Sequence, residues 1–117
     1  MSTLAIEGIK LYAYHGCLPE EQITGGHFTV DVYIDLDTSK AEISDDLRHT
    51  VDYQEVNNIV KSEMAVYSKL IEHAGRRIIG RLNAQFSQAE NIRVRVTKLH
   101  PPVNGMVEKV SVLICSK

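Results

Sequence analysis

From His27 to Asp37 the chain alternates without a break. Phe28, Val30, Val32, Ile34 and Leu36 fall on one side, and Thr29, Asp31, Tyr33, Asp35 and Asp37 on the other. This is the two-residue period of a strand with one face buried. Such a strand belongs to a sheet covered on one side, and its register is fixed, because a slip of one residue would turn every apolar side chain to water. A second run repeats the pattern, with Ile92, Val94 and Val96 opposed to Arg93, Arg95 and Thr97, and leads into Lys98. Pro101 and Pro102 cannot donate to a ladder, so the chain is expected to leave the sheet just after Lys98. A lysine is thereby set where a rigid scaffold meets a loop, a common place for sites. Taken alone, it reads as a solvated strand end.

The remaining elements follow in order. Leu4 to Tyr14 reads as a first strand, with Ile9, Leu11 and Ala13 on one face, Lys10, Tyr12 and Tyr14 on the other, and Gly8 as a bulge. His15-Gly16-Cys17-Leu18-Pro19 ends it, and Gly25-Gly26 is a turn. Ser39 through Thr50 reads as a polar connection holding Asp45 and Asp46. From Tyr53 the period changes: Val56, Ile59, Val60 and Met64 predict a helix to about Tyr67. Ser68 is expected to break and cap, and Ile71, Ala74, Ile78, Leu82 and Phe86 predict a second helix. A strand from Asn91 to Lys98 and another carrying Val110, Val112 and Ile114 close the chain.

The order β-β-α-α-β-β predicts an α+β fold, a four-stranded antiparallel sheet with both helices on one face. The other face carries Lys10, Tyr12, Tyr14, Thr29, Asp31, Tyr33, Arg93, Arg95, Lys109 and Ser111, a mixture of both charges with tyrosines. A four-stranded sheet also has two open edges. Several copies joined edge to edge into a barrel with a polar lumen would meet both facts. A monomer with a wet outer face fits the same pattern.

Composition narrows the functional classes. The 117 residues predict a single domain, 1–117. A formal charge of -2 with scattered lysines and arginines leaves no nucleic-acid footprint. Cys17 and Cys115 have no paired spacing, so neither a disulfide framework nor a zinc site is indicated. No apolar run approaches membrane-spanning length, and Met1-Ser2-Thr3-Leu4 has no signal-peptide character, so a cytoplasmic protein is expected.

Four segments carry a resemblance. Tyr12-Ala13-Tyr14-His15-Gly16 through Glu20-Glu21 resembles the YxYHGxxxxE segment of dihydroneopterin aldolases. Asp45-Asp46-Leu47 with Thr50-Val51-Asp52-Tyr53 resembles their DDL…TVDY segment, Leu70-Ile71-Glu72 their LIE helix start, and Lys98 with Pro101-Pro102 their closing K…P element. The segments keep the family's order, and the resemblance spans residues 4 to 115. It implies the tunnelling fold, whose members form tetrameric rings that stack as octamers with active sites at subunit interfaces. This chain departs from the pattern at Leu99-His100, at Ala74-Gly75 and at Cys17, none of them a residue expected to do chemistry.

The resemblance also implies a reaction. 7,8-Dihydroneopterin is cleaved to 6-hydroxymethyl-7,8-dihydropterin and glycolaldehyde in folate biosynthesis, a retro-aldol that needs a base, an electron sink and an acid. Ordinary aldolases make the sink from a lysine Schiff base or a metal. Here the substrate's ring C=N is conjugated to the reacting carbon, so no metal or other cofactor is expected. By the same resemblance Glu72 grips the pterin through paired hydrogen bonds, with Ile71 beside it in the substrate-binding segment. Lys98 is the proton-transferring lysine, and Glu21 (rather than Glu20) is its partner. Tyr53 comes from a neighbouring subunit to bind substrate and relay a proton. Two rivals stand beside this reading. A dihydroneopterin triphosphate 2′-epimerase would need extra cations near the pocket, for which Arg76, Arg77 and Arg81 are available. A pterin- or purine-binding protein without turnover would need only Glu72.

Overall fold

In the computed structural model, which describes residues 1–117, the 27–37 alternation becomes an inner strand of one antiparallel sheet. Strand β2 (Gly26–Leu36) pairs with β1 (Ser2–Ala13) on one side and β3 (Asn91–Leu99) on the other, and β4 (Lys109–Cys115) completes the order β1-β2-β3-β4. The register matches the hydrophobic faces: Leu11 lies opposite Phe28, Val30 opposite Val96, Val32 opposite Val94 and Ile34 opposite Ile92. Gly8, at φ 72°, forms the expected bulge, and the register of β1 shifts between Ile6 and Ile9. Its N–H turns to the Asp31 carboxylate at 2.7 Å. The ladder of β3 runs one residue past Lys98, with Leu99 opposite Lys109, before His100 turns away at φ 50°.

Four α-helices punctuate the sheet, two more than the sequence periodicity predicts. Helix α1 (Pro19–Thr24) lies between β1 and β2, and α2 (Ser39–Ser44), followed by a 3-10 turn at Leu47–His49, fills the polar connection after β2. Both are too short to show a helical period. What marks them is chemistry at their ends: Pro19 at the first turn of α1 with Glu20 and Glu21 behind it, and ahead of α2 the Asp37 carboxylate accepting from the Ser39 N–H at 2.9 Å.

The two longer helices cover the sheet. Helix α3 (Tyr53–Met64) is capped by the Asp52 side chain, which accepts from the Gln54 N–H at 2.9 Å. It ends at Met64 instead of Tyr67, and around that end Arg77 satisfies carbonyls, donating to Glu63 O inside the helix and Val66 O just past it at 2.8 Å each. Helix α4 (Ile71–Gln85) then packs on β3. Ser68 caps neither helix; it is buried in the loop between them, bonded to His15, His73 and Arg77.

Ala74 and Gly75, the small pair in α4, are both buried where the helix crosses the sheet. A Cβ on Gly75 would sit 2.9 Å from Ile114 Cδ1 and 3.4 Å from Val96 Cγ2, so its absence is what allows the close approach. One apolar core runs between sheet and helices, from Phe28, Val30, Val32, Ile34 and Leu36 to Val56, Val60, Ile78 and Leu82. Toward the flanks it thins: Leu4, Ile6, Ile9 and Leu11 on β1 and Val112 and Ile114 on β4 are only partly covered. The far face is a polar lattice. Asp31 lies opposite Arg95, Arg93 pairs with Asp35 at 2.9 Å, and Tyr33 donates to Glu7 at 2.6 Å.

Candidate active site

Lys98 lies two residues beyond Val96, so its side chain leaves β3 on the same face as Ile92, Val94 and Val96. It thus extends the buried row to the end of the core and stands over the ring of Phe28, its opposite number on β2, with Nζ 5.8 Å from the ring centroid. Only 15% of the lysine side chain is exposed. Burial lowers the ammonium pKa from the usual lysine range, with Cys17 acting in the opposite sense. The Glu21 carboxylate in contact with Nζ also favours the charged form. A desolvated lysine in contact with one carboxylate is chemically able to give and take a proton.

Glu21 reaches Lys98 from the first turn of α1, and its other oxygen accepts from the Leu18 N–H at 3.2 Å. Gly16 leaves the space: a Cβ there would overlap the Glu21 carboxylate, so the glycine after His15 is a steric requirement of the ion pair. His15 supplies the third contact, its carbonyl accepting from Lys98 Nζ at 3.0 Å. Its ring is buried edge-on against Phe28 at 5.4 Å, with Nδ1 accepting from the Ser68 N–H at 3.0 Å. Desolvation first, and the nearby Arg77 charge second, lower its pKa and keep the imidazole neutral.

Glu72 occupies the first turn of α4, exposed to solvent, one helical turn before the Gly75 contact with Val96. Ile71 turns its side chain toward the core, so what it presents outward is the N–H of a helix start, a donor with no intrahelical partner. A cleft of about 350 Å³ opens beside these residues, walled by Tyr67, Ser68, Lys69, Leu70 and His73. Lys98, Glu21 and the start of α4 therefore gather at one end of the molecule.

Tyr53 does not join them. It opens α3, and the Gln85 side chain donating to Glu55 at 3.2 Å places that end of α3 beside the far end of α4. Helix α4 takes fifteen residues to run from Ile71 to Gln85, roughly 21 Å at the usual rise. The tyrosine is 67% exposed, next to a second cleft of about 350 Å³ lined by Thr50, Asp52, Glu55, Gln85 and Phe86 among others. Tyr53, expected from a neighbouring subunit, thus lies at the opposite end of its own protomer from Lys98, Glu21 and Glu72.

The cations considered for a triphosphate are largely engaged. Arg81 pairs with Glu63 at 2.8 Å, and Arg77 is bound to Ser68, Glu63 and Val66; only Arg76 stands exposed without such a pair. The Ser68, Tyr67 and Arg77 cluster beneath the lysine was not foreseen. Its one sequence signal was an arginine in phase with the helix's inner face.

The family model of dihydroneopterin aldolase, FolB, matches residues 4–115. The chain belongs to the dihydroneopterin aldolase family. A dihydroneopterin aldolase of Staphylococcus epidermidis is 38% identical over 110 residues, 93% of this chain and 91% of that protein. One of Bacillus subtilis is 35% identical over 118 residues, 100% of this chain and 98% of its own length. The fold matches the crystal structure of E. coli dihydroneopterin aldolase in complex with neopterin, with a TM-score of 0.90 at 22% identity and full coverage of both chains. No helix of this aldolase-family chain is long and apolar enough to cross a membrane.

Proposed function

We propose that the chain breaks the C1′–C2′ bond of 7,8-dihydroneopterin, releasing glycolaldehyde and 6-hydroxymethyl-7,8-dihydropterin. The observation that carries this reading is the Lys98–Glu21 pair, desolvated at the end of the core and adjoining the helix start that bears Glu72. The Glu72 carboxylate accepts the ring N3–H and the 2-amino group side by side, and the N–H groups opening α4 face the ring's carbonyl edge. Lys98, steadied by Glu21, hydrogen-bonds N5. Loss of the 2′-hydroxyl proton turns C2′ into the aldehyde carbon, and the electrons of the broken bond run through C1′ and C6 to N5, which takes a proton. Protonating C1′ and releasing the N5 proton completes the turnover.

Since the pterin's own C=N holds the electrons, the reaction needs neither a metal nor a covalent lysine adduct. In this scheme Lys98 acts as acid and base through hydrogen bonds and water. Re-addition of glycolaldehyde to the other face would give C2′ epimerisation with the same residues.

Tyr53 enters from a second copy. The opposite placement of the two residue groups, the open edges at β1 and β4, and the thin core beneath both edges support a ring of subunits joined sheet to sheet. Stacking of two such rings would give the octamer.

The test is incubation with dihydroneopterin and, separately, its triphosphate, with glycolaldehyde and the 2′-epimer quantified. Release of glycolaldehyde from the unphosphorylated substrate is expected. Epimerisation of the triphosphate without cleavage would favour the rival, against which the engagement of Arg77 and Arg81 speaks.

A further inference from the structure

Two loops meet beneath Lys98, and three hydrogen bonds join them. The Ser68 N–H donates to His15 Nδ1 at 3.0 Å, the Gly16 N–H donates to the Ser68 carbonyl at 3.2 Å, and the Tyr67 hydroxyl donates to the Gly16 carbonyl at 2.7 Å. The first loop, His15-Gly16, carries the carbonyl that receives Lys98 and the space that receives Glu21. The second, Tyr67-Ser68, walls the cleft and leads directly into Leu70-Ile71-Glu72. Ser68 is held from behind, its hydroxyl bonded to Arg77 at 2.7 Å and His73 at 2.8 Å.

We infer that His15, Tyr67 and Ser68 form a positioning clamp that fixes the spacing between the proton-transferring pair and the segment that grips the ring, with His15 as its buried anchor. The inference rests on the reading of Lys98 and Glu72 given above. None of the three side chains needs to touch the reacting atoms. His15 is 1% exposed and its Nδ1 is committed to Ser68. A histidine so enclosed is badly placed to shuttle protons with substrate. It is well placed to hold a backbone, since removing this buried acceptor would leave the Ser68 N–H unsatisfied. An error of about 1 Å between a reactive group and a bound ring costs on the order of 100-fold in rate.

His15→Phe keeps a ring against Phe28 and removes the acceptor; His15→Asn restores an acceptor near the Nδ1 position. Tyr67→Phe removes one bond at a half-exposed position and serves where His15→Phe does not fold. For each folded variant, kcat with dihydroneopterin, Kd for neopterin and the acylation rate of Lys98 by acetic anhydride are measured, with exposed Lys40 as internal reference. His15→Phe is expected to lower kcat by about 10- to 100-fold while Kd stays within about 3-fold. Lys98 acylation should rise by at least about 3-fold as the loop loosens, and His15→Asn should recover most of both losses. Tyr67→Phe should move the same readouts in the same direction by smaller factors.

Unchanged kcat and unchanged Lys98 acylation in a folded His15→Phe, or in Tyr67→Phe if the former does not fold, would overturn the clamp. So would equal losses of kcat and affinity with Lys98 acylation unmoved. Absence of turnover in the unaltered protein would count against the aldolase reading, while the acylation comparison would still decide whether the loops are clamped.

Discussion

Lys98 stands where the alternation of β3 asks for another valine. In the sequence it reads as a strand-end lysine, and only the resemblance marks it as functional; yet its phase with Ile92, Val94 and Val96 already places it on the buried face. What no pattern shows is the company it keeps, because Glu21 and His15 arrive from a turn 77 and 83 residues away in the chain. Glu72 is the converse case, legible from the helix start and left exposed by the fold. Replacing Glu72 with Ala should weaken neopterin binding by about 100-fold, seen by titration, with a smaller change in kcat at saturating substrate.

His15 gives a pH prediction with a definite sign. Its folded pKa is below the ordinary histidine value of 6.5, chiefly through desolvation, so below that pH the unfolded chain binds a proton that the folded chain refuses. The stability present above pH 6.5 is therefore lost as the pH falls toward the folded value. Thermal midpoints across that range should show the decline in the unaltered protein and a shallower one in His15→Asn, which has no imidazole to titrate.

Among the elements, the strands and the two long helices are legible because each buries one face over many residues. Helices α1 and α2 are not, since six residues each are too few for a period to emerge and their stability comes from contacts at the ends. The end of α3 is misjudged for a related reason: the carbonyls around it are satisfied by Arg77, thirteen residues past Met64 in the chain. Ala74-Gly75 shows a local rule yielding to packing. A glycine inside a helix costs roughly 1 kcal/mol against alanine, and here it permits α4 to seat against Val96 and Ile114. Gly75→Leu should destabilise the fold by about 1–3 kcal/mol in urea unfolding, the usual scale for overpacking a filled core. An unchanged midpoint would mean that the helix does not sit as closely as described.

For the whole molecule, the distribution of polarity carries the argument. A sheet with a dry face, a lattice of paired charges on the other and two unpaired edges is an unfinished surface in a lone protomer. In the proposed function, Lys98 and Tyr53, at opposite ends of one protomer, belong to a site built from two copies. Tyr53→Phe and Lys98→Ala subunits, each impaired alone, should therefore regain part of the activity when unfolded together and refolded as a mixture, because some hybrid sites receive both intact residues. Equal mixtures giving no more than the sum of the two separate activities would point to a site within one protomer. The edges and polar face are legible in the sequence, and the resemblance already assigns Tyr53 to a neighbouring subunit; the path of the helices adds how far it lies from Lys98 within one protomer.

In the proposed reaction the amine of residue 98 moves the protons while the ring holds the electrons. It is tested most directly by comparing kcat for glycolaldehyde release from dihydroneopterin, with neopterin Kd alongside, in the unaltered protein and in Lys98→Ala. A fall in kcat of about 1,000-fold or more with Kd kept within about 10-fold is the predicted result. A folded Lys98→Ala protein that released glycolaldehyde at the unaltered rate would contradict it.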